Sequence, residues 1–388
     1  MPLANALLTE DQLGSEEPKH LLAVTMCAGC ALLQLTDTIH PDDLFVEYAY
    51  FSSHSSPIVK HAAKLVERLI PERGLGSDDL VVEIASNDGY LLQHYLAKGV
   101  PVLGIDPAAN VVKVAIERGV PSRCEFFTDE LASSMVKEGI RARVIHANNV
   151  LAHVPDINDF VSGVSTLLAQ DGVFVVETPY VRDMVERLEF DTIYHEHVFY
   201  YSLHSLEELF GRNGLRIVDV ERIPVHGGSL RVFATVSSSD EKPSQSVLEL
   251  RAEEVEVGVD RPEFYENFAA RVGDLLEDLR AFLLERKKKG RTIAGYGAAA
   301  KGTVLLNALG LGAETFDFVV DETPYKQGRY VPGARIPIRP PDALLADAPD
   351  DVVIFAWNFA PEIISKEAAY RAGGGTFILP LPSPHEVH

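Results

Sequence analysis

From about residue 79 the chain alternates short apolar runs with stretches of helical periodicity. Residues 80–84, 102–105, 142–147 and 173–177 each read as a buried strand, with helical spacing between them. That alternation predicts a mostly parallel sheet with helices on both faces. Upstream, Ile58, Ala62, Leu65 and Leu69 recur at helical spacing. After residue 215 the pattern changes, and 215–220 and 230–236 look like strands of an antiparallel ending. Residues 237–247, rich in Ser, Asp, Glu and Lys, read as a loop. Phe264, Phe268, Val272, Leu275, Leu279 and Phe282 then predict a long helix crossing the surface between two domains. The basic run 286–289 and Gly290 suit its C-terminus, where positive charge complements the helix dipole. A second strand–helix alternation follows at 292–295, 316–320, 352–356 and 376–379. The expected organisation is α/β throughout: a small N-terminal lobe (1–57), a first α/β domain (58–224) and a second (225–388) that includes the linker helix 262–289.

A length of 388 residues and a hydrophobic content of 46% support two or three domains with a sizeable core. The formal net charge of -22 argues against nucleic acid or an anionic membrane as partner. No apolar run is long enough to span a bilayer and no leader pattern opens the chain, so a soluble cytoplasmic protein is expected. Three cysteines do not make a disulfide framework. The pattern carries no signature of oligomeric state.

The densest chemistry lies at residues 190–201, where Asp191, Tyr194, His195, Glu196 and His197 sit in an otherwise apolar and aromatic run. Buried polar groups cost free energy unless paired, and a His beside a carboxylate moves protons near neutral pH. A hydrogen-bonded core network is the bland alternative. The segment lies between two stretches of nucleotide-binding type. In the first, Glu83 ends a strand, a tight loop runs to Gly89, and Asp106 closes the next strand, where such folds hold ribose hydroxyls. A pyrophosphate needs a fuller glycine fingerprint, and the Glu83 carboxylate would repel it. The pair suits S-adenosylmethionine, whose amino group and sulfonium are positive. Asn148 and His153 follow another strand, at the edge where open α/β sheets place their ligand crevice. In the second stretch, Gly295-x-Gly297 and Lys301 form a glycine loop able to cradle a phosphate at a helix N-terminus, with Asp321 closing the next strand. His226-Gly227-Gly228-Ser229-Leu230-Arg231 and the aromatic–hydroxyl strip Tyr48 to His54 are further candidates. Cys27-x-x-Cys30 is half of a tetrahedral zinc site.

Residues 2–5, 27–35, 48–53, 83–89, 148–154, 190–197, 226–231 and 295–302, taken in order, resemble the sugar C-methyltransferases that methylate nucleotide-linked 4-keto-deoxysugars for antibiotics and surface glycans. The resemblance implies a zinc-binding N-terminal lobe, a central Rossmann-like class I methyltransferase domain for S-adenosylmethionine, and a C-terminal Rossmann-like domain that helps hold the nucleotide sugar. It assigns the base to His197, oriented or charge-stabilised by Glu196, with His195 as the adjacent candidate. Tyr194, Tyr48 and His153 line the sugar pocket. Glu83, Ala85, Asn87, Gly89, Asp106 and Asn148 are expected to hold the methyl donor, and His195, His226, Arg231, Gly295, Gly297 and Lys301 are the candidates for the nucleotide sugar. Two positions depart from the family. Its usual C-x-x-C ahead of the Pro-Leu-Ala-Asn segment is not in this chain, so Cys27 and Cys30 are left as half of the metal site. Ala85 stands where glycine is common. A nicotinamide-dependent sugar oxidoreductase and a non-catalytic binding member are the competing readings.

Overall fold

The computed structural model describes residues 1–40 and 51–387, so Tyr48 lies outside the described residues. In chain order the strands are β1 (Val24–Met26), β2 (Leu33–Leu35), β3 (Val81–Ile84), β4 (Val102–Ile105), β5 (Ser122–Arg123), β6 (Ala142–Asn148), β7 (Leu168–Pro179) and β8 (Phe199–Tyr200). They continue as β9 (Leu215–Ile223), β10 (Ser229–Val236), β11 (Ile293–Tyr296), β12 (Val319–Val320), β13 (Ile338–Arg339), β14 (Asp351–Ile354), β15 (Thr376–Leu379) and β16 (His385–Val387).

Three sheets result. The largest has the order β5-β4-β3-β6-β7-β10-β9. Its strands β3 to β7 are parallel, and β10 runs antiparallel to both of its neighbours. Burial on both faces explains the apolar runs Val81–Val82 of β3 and 173–176 of β7. A second sheet, β13-β12-β11-β14-β15-β16, is parallel except for β16. The third, β1-β2-β8, joins the N-terminal lobe to the chain immediately after His197. Through that pairing the lobe pins one end of the 190–201 segment.

Three sequence expectations need correction. The boundary at 224 cuts a hairpin, because β10 completes the first domain's sheet between β7 and β9. The expected surface helix is broken at Asn267 into Pro262–Glu266 and Phe268–Lys288, and it is no surface crossing. Its Phe268, Leu275, Leu279 and Leu283 enter one apolar cluster with Leu33 and Leu35 of the lobe and Val181, Met184 and Val185 of the first domain. Each fully buried leucine there contributes roughly 2 kcal/mol, so lobe and both domains share a core that fixes the cleft between them. The expected loop 237–247 ends early, where the helix Gln245–Val257 begins. Only Val247, Leu250 and Glu254 are buried along that helix, too sparse a stripe to read from sequence.

Candidate functional site: a two-walled cleft

The donor wall is the carboxyl edge of β3, β4 and β6. After Glu83 the backbone turns through left-handed residues at Ala85 (φ 54°) and Asn87 (φ 50°). Asp106 holds this turn, its two oxygens accepting the backbone N–H groups of Asn87 and Ala108 at 2.9 Å each. The Ser52–Ser53 segment clasps the same loop from outside. Ser52 N–H donates to the Asn87 side chain at 2.9 Å, and the Ser53 hydroxyl to Asp88 at 2.5 Å. Arg118 pairs with Asp88 at 2.8 Å. Oε2 of Glu83 and Oδ1 of Asn148 are buried acceptors with no partner among the described residues. Buried acceptors are rarely left unmade without a use. These two face the crevice where an α/β sheet takes its ligand, and they fit the cationic methionine end of S-adenosylmethionine. Burial first, then the neighbouring Asp106, push the Glu83 carboxyl well above its ordinary range, against a hydrogen bond from Tyr90.

Two expectations arise here. The free protein favours a neutral Glu83, and a bound cation favours the carboxylate. Donor binding is therefore expected to release a proton. Calorimetry of S-adenosylhomocysteine, which keeps the ammonium, in buffers of different ionisation enthalpy should show the release, and Glu83→Gln should abolish it; equal heats in all buffers would refute the assignment. At Ala85, a non-glycine residue in the left-handed region carries about 1 kcal/mol of backbone cost. Glycine relieves that cost but loses more chain entropy on folding. Ala85→Gly should therefore stabilise by a few tenths of a kcal/mol up to about 1 kcal/mol. Urea unfolding measures it, and a destabilised variant would count against strain at this turn.

The acceptor wall is the 189–197 segment with the start of the second sheet's first helix, Ala300–Leu309. His197 is held at both ring nitrogens: Nδ1–H donates to the Thr192 carbonyl at 3.0 Å, and the Tyr194 hydroxyl donates to Nε2 at 2.8 Å. His153 packs edge-on to it, with ring centroids 4.8 Å apart. Desolvation, and then His153, hold the His197 imidazole well below its ordinary range, so the ring is neutral at neutral pH. Burial likewise lowers His153 to about 4. Lys301 reaches into the cleft from its helix. Its Nζ lies 4.1 Å from the centre of the Trp357 ring and has no hydrogen-bond partner among the described residues. Burial lowers its pKa, against the pull of Asp191 and Glu189. Burial raises the Asp191 carboxyl to about 6 and the Glu189 carboxyl to about 7. Asp191 accepts the Trp357 indole N–H at 2.7 Å and leaves its other oxygen without a partner among the described residues. His226, lowered by burial to about 4, also feels Lys301. The Gly227–Gly228 pair is required by close approach: a Cβ at Gly227 would lie 2.5 Å from the Glu189 carboxylate and 2.7 Å from Trp357.

Several assigned residues are placed differently from expectation. Glu196 does not orient His197; its carboxylate accepts the Asn5 side-chain amide at 2.6 Å, and the Thr192 carbonyl orients the ring instead. His195 turns to the N-terminal lobe, where Nε2 meets the Leu21 carbonyl at 3.2 Å beside His20. Of the two adjacent histidines, it is His197 that packs with Tyr194 and His153. Arg231 is not free for a diphosphate. It lies on β10 and donates to Glu177 on β7 at 2.7 Å and Glu221 on β9 at 2.8 Å. Gly295 and Gly297 serve close packing, since a Cβ at either would strike Phe355 or Ala356. Glu189 and Trp357 are not legible in the sequence, and Ser52 and Ser53, part of the aromatic–hydroxyl strip, carry no sign there of their partners Asn87 and Asp88, because no local spacing announces contacts made across distant segments. Cys27 and Cys30 lie together, the Cys27 thiol lowered by the Gly29 and Cys30 amides and the Cys30 thiol. Among the described residues no group of three or more His, Cys, Asp or Glu is placed to hold a metal. The described residues therefore do not build a complete zinc site. No helix among them is long and apolar enough to cross a membrane.

A parallel sheet with an acid at the end of each of two adjacent strands, a glycine-poor loop between, and an unpaired acceptor toward the donor defines an S-adenosylmethionine-dependent methyltransferase. Family models agree: "Methyltransferase domain" matches residues 58–220, "C-methyltransferase C-terminal domain" 224–382 and "Putative zinc binding domain" 1–45. C-methyltransferase NovU of Streptomyces niveus is 41% identical over 386 residues, covering 100% of this chain and 92% of that protein. The chain belongs to the sugar C-methyltransferase family and is an S-adenosylmethionine-dependent C-methyltransferase. The oxidoreductase reading is thereby overturned. Solved structures with partial likeness include the magnesium protoporphyrin IX methyltransferase ChlM of Synechocystis PCC 6803 (16% identity, 48% of this chain and 80% of that one, TM-score 0.36). The CcbJ methyltransferase of Streptomyces caelestis is another (15% identity, 50% and 96%, TM-score 0.37).

Proposed function

We propose that the methyl acceptor is a nucleotide-linked 4-keto-deoxysugar, carried on thymidine diphosphate, and that the methyl group is added at the carbon α to the ketone through an enolate. The observation that carries this reading is the Tyr194–His197 hydrogen bond, with a neutral imidazole anchored by Thr192 in a cleft that also holds Lys301. A proton α to a ketone is weakly acidic, so a base and a stabiliser for the developing oxygen charge are both needed. Because Tyr194 occupies the Nε2 lone pair, the hydroxyl relays the proton. Its oxygen takes the α-proton while its own proton passes to His197. The enolate carbon then attacks the donor methyl, and the sulfonium sulfur keeps the electron pair of the broken C–S bond. Binding both partners in line supplies much of the remaining acceleration. Lys301 and the N-terminus of Ala300–Leu309 offer positive charge to the anionic carrier, with His226 and His153 beside the sugar.

Incubating thymidine-diphosphate 4-keto-deoxysugars with S-adenosylmethionine in heavy water, followed by mass spectrometry, tests the proposal. One added methyl, together with α-deuterium exchange when S-adenosylhomocysteine replaces the donor, is expected. Donor binding with neither exchange nor methylation across the panel would sink it.

A further inference from the structure

His61 has no part in the chemistry assigned so far. It lies on the helix Ser56–Arg73, directly after the Ser52–Ser53 clasp on the donor loop. Its Nε2 is 2.9 Å from both oxygens of Glu177 and 2.9 Å from the Arg231 guanidinium. The guanidinium already donates to Glu177 at 2.7 Å, and an ionised carboxylate can only accept. The consistent arrangement is therefore Nε2–H donating to Glu177. Burial pushes the Glu177 carboxyl up, but His61 and Arg231 outweigh it and hold the carboxyl below its ordinary value, so it is ionised. Nδ1 of His61 has no partner among the described residues, and the side chain keeps 28% exposure. A carboxylate thus fixes one imidazole nitrogen and leaves the other available, the arrangement that orients histidines for proton transfer.

Position gives this pair its direction. Glu177 is in register with Asn148, at the carboxyl ends of β7 and β6. It is on the far side of β6 from the donor residues Glu83 and Asp106. His226 on the β9–β10 turn feels both the His61–Glu177 pair and Lys301, and the next residue of that turn, Gly227, packs against Glu189 and Trp357 of the acceptor wall. His61 meets Glu177 on β7 and Arg231 on β10 and interacts with His226 on the β9–β10 turn; beyond Arg231 the network continues through Glu221 on β9 to Arg68 on the His61 helix.

We propose that His61 is a second proton-transfer residue of the cleft, donating from Nδ1 to the ketone oxygen of the acceptor, with Glu177 as its positioning residue. The inference rests on the keto-sugar reading above. As the α C–H bond breaks toward Tyr194 and His197, its electron pair forms the C=C bond and the carbonyl pair moves to oxygen. The imidazolium gives that oxygen its Nδ1 proton, and Nε2–H stays on Glu177. When the carbon takes the methyl group and the ketone re-forms, the proton returns to Nδ1.

The test uses the full chain with the thymidine-diphosphate 4-keto-deoxysugar panel, comparing wild type, His61→Gln and Glu177→Gln. His61→Gln keeps an amide donor for Glu177 and should lower both α-deuterium exchange and methyl transfer about a hundredfold, the scale for losing one oxyanion donor. Affinity for S-adenosylhomocysteine should stay within about twofold, since no donor contact is lost. Glu177→Gln should lower exchange and methyl transfer in the same direction while leaving S-adenosylhomocysteine affinity within about twofold, a split between turnover and donor binding that a purely structural role would not produce. Wild-type turnover with His61→Gln within about threefold of it overturns the role of His61 alone. A tenfold loss of S-adenosylhomocysteine affinity with exchange unchanged overturns it in favour of the donor carboxylate. A wild type that binds S-adenosylhomocysteine yet neither exchanges nor methylates any sugar overturns the acceptor reading and the His61 role together.

Discussion

Replacing His197 by Asn is expected to lower turnover by about a thousandfold or more, within the range seen for losing a general base, while S-adenosylhomocysteine binds nearly as before. In the proposed relay the imidazole is the terminal proton acceptor, and it belongs to the 189–197 segment rather than to the loop of Glu83 and Asp106. Tyr194→Phe should cost a similar factor, because it removes the oxygen that meets the substrate proton. Tyr194 and His197 act as one unit through their 2.8 Å hydrogen bond. The double variant should therefore be little worse than either single one. Multiplying losses in the double variant would show two independent roles and refute the relay. The pH dependence has a definite sign. Desolvation, and then His153, hold His197 well below the ordinary imidazole value, so it stays a competent acceptor through mild acid. The acid limb of the methylation rate should fall well below pH 6.5.

Arg231→Met is expected to destabilise the fold by about 3–5 kcal/mol, the cost of leaving one partner of a buried ion pair uncompensated. Arg231 is 7% exposed and stands in register between Glu177 and Glu221. Removing it strands Glu177 beside His61 in a nearly dry site. Adding Glu177→Gln should recover part of the loss, because the uncompensated charge goes with it. Urea unfolding supplies both numbers. The pH dependence follows from Glu177. Its folded value is depressed below the ordinary 4.5, so its stabilising contribution is present above that value and is lost as pH falls through the folded one. The gap between wild type and Arg231→Met should be full at neutrality and narrow in acid. A gap independent of pH would locate the loss in packing rather than charge.

Much of this protein was legible in its sequence because the signals are local. Alternating apolar runs announced the two α/β sheets, since strand and helix periods are properties of consecutive residues. Glu83 and Asp106 stood out because each closes a strand at the edge where such sheets take ligands. Tyr194 and His197 were recognisable as polar groups in an aromatic run. The extent of the first sheet was less legible. The reversed strand β10 is inserted between β7 and β9, and strand order is not written in local spacing.

The sequence by itself determined the class of fold and singled out Glu83, Asp106 and the 190–197 segment as candidates, because those depend on residue type and near-neighbour period. Only tertiary structure decided the partner of most of these polar groups, because that partner lies tens to hundreds of positions away. Arg231 reads like an anion binder, yet pairing in register commits it to two carboxylates. Glu196 is adjacent to His197 in sequence, but backbone geometry sends it to Asn5 and leaves the ring to the Thr192 carbonyl. His61 lies 116 residues from Glu177, and a packed helix brings them together. Lys301 gains its meaning from Asp191, Glu189 and Trp357 across a domain boundary. Charges interact through space and desolvation depends on enclosure, and folding alone sets both.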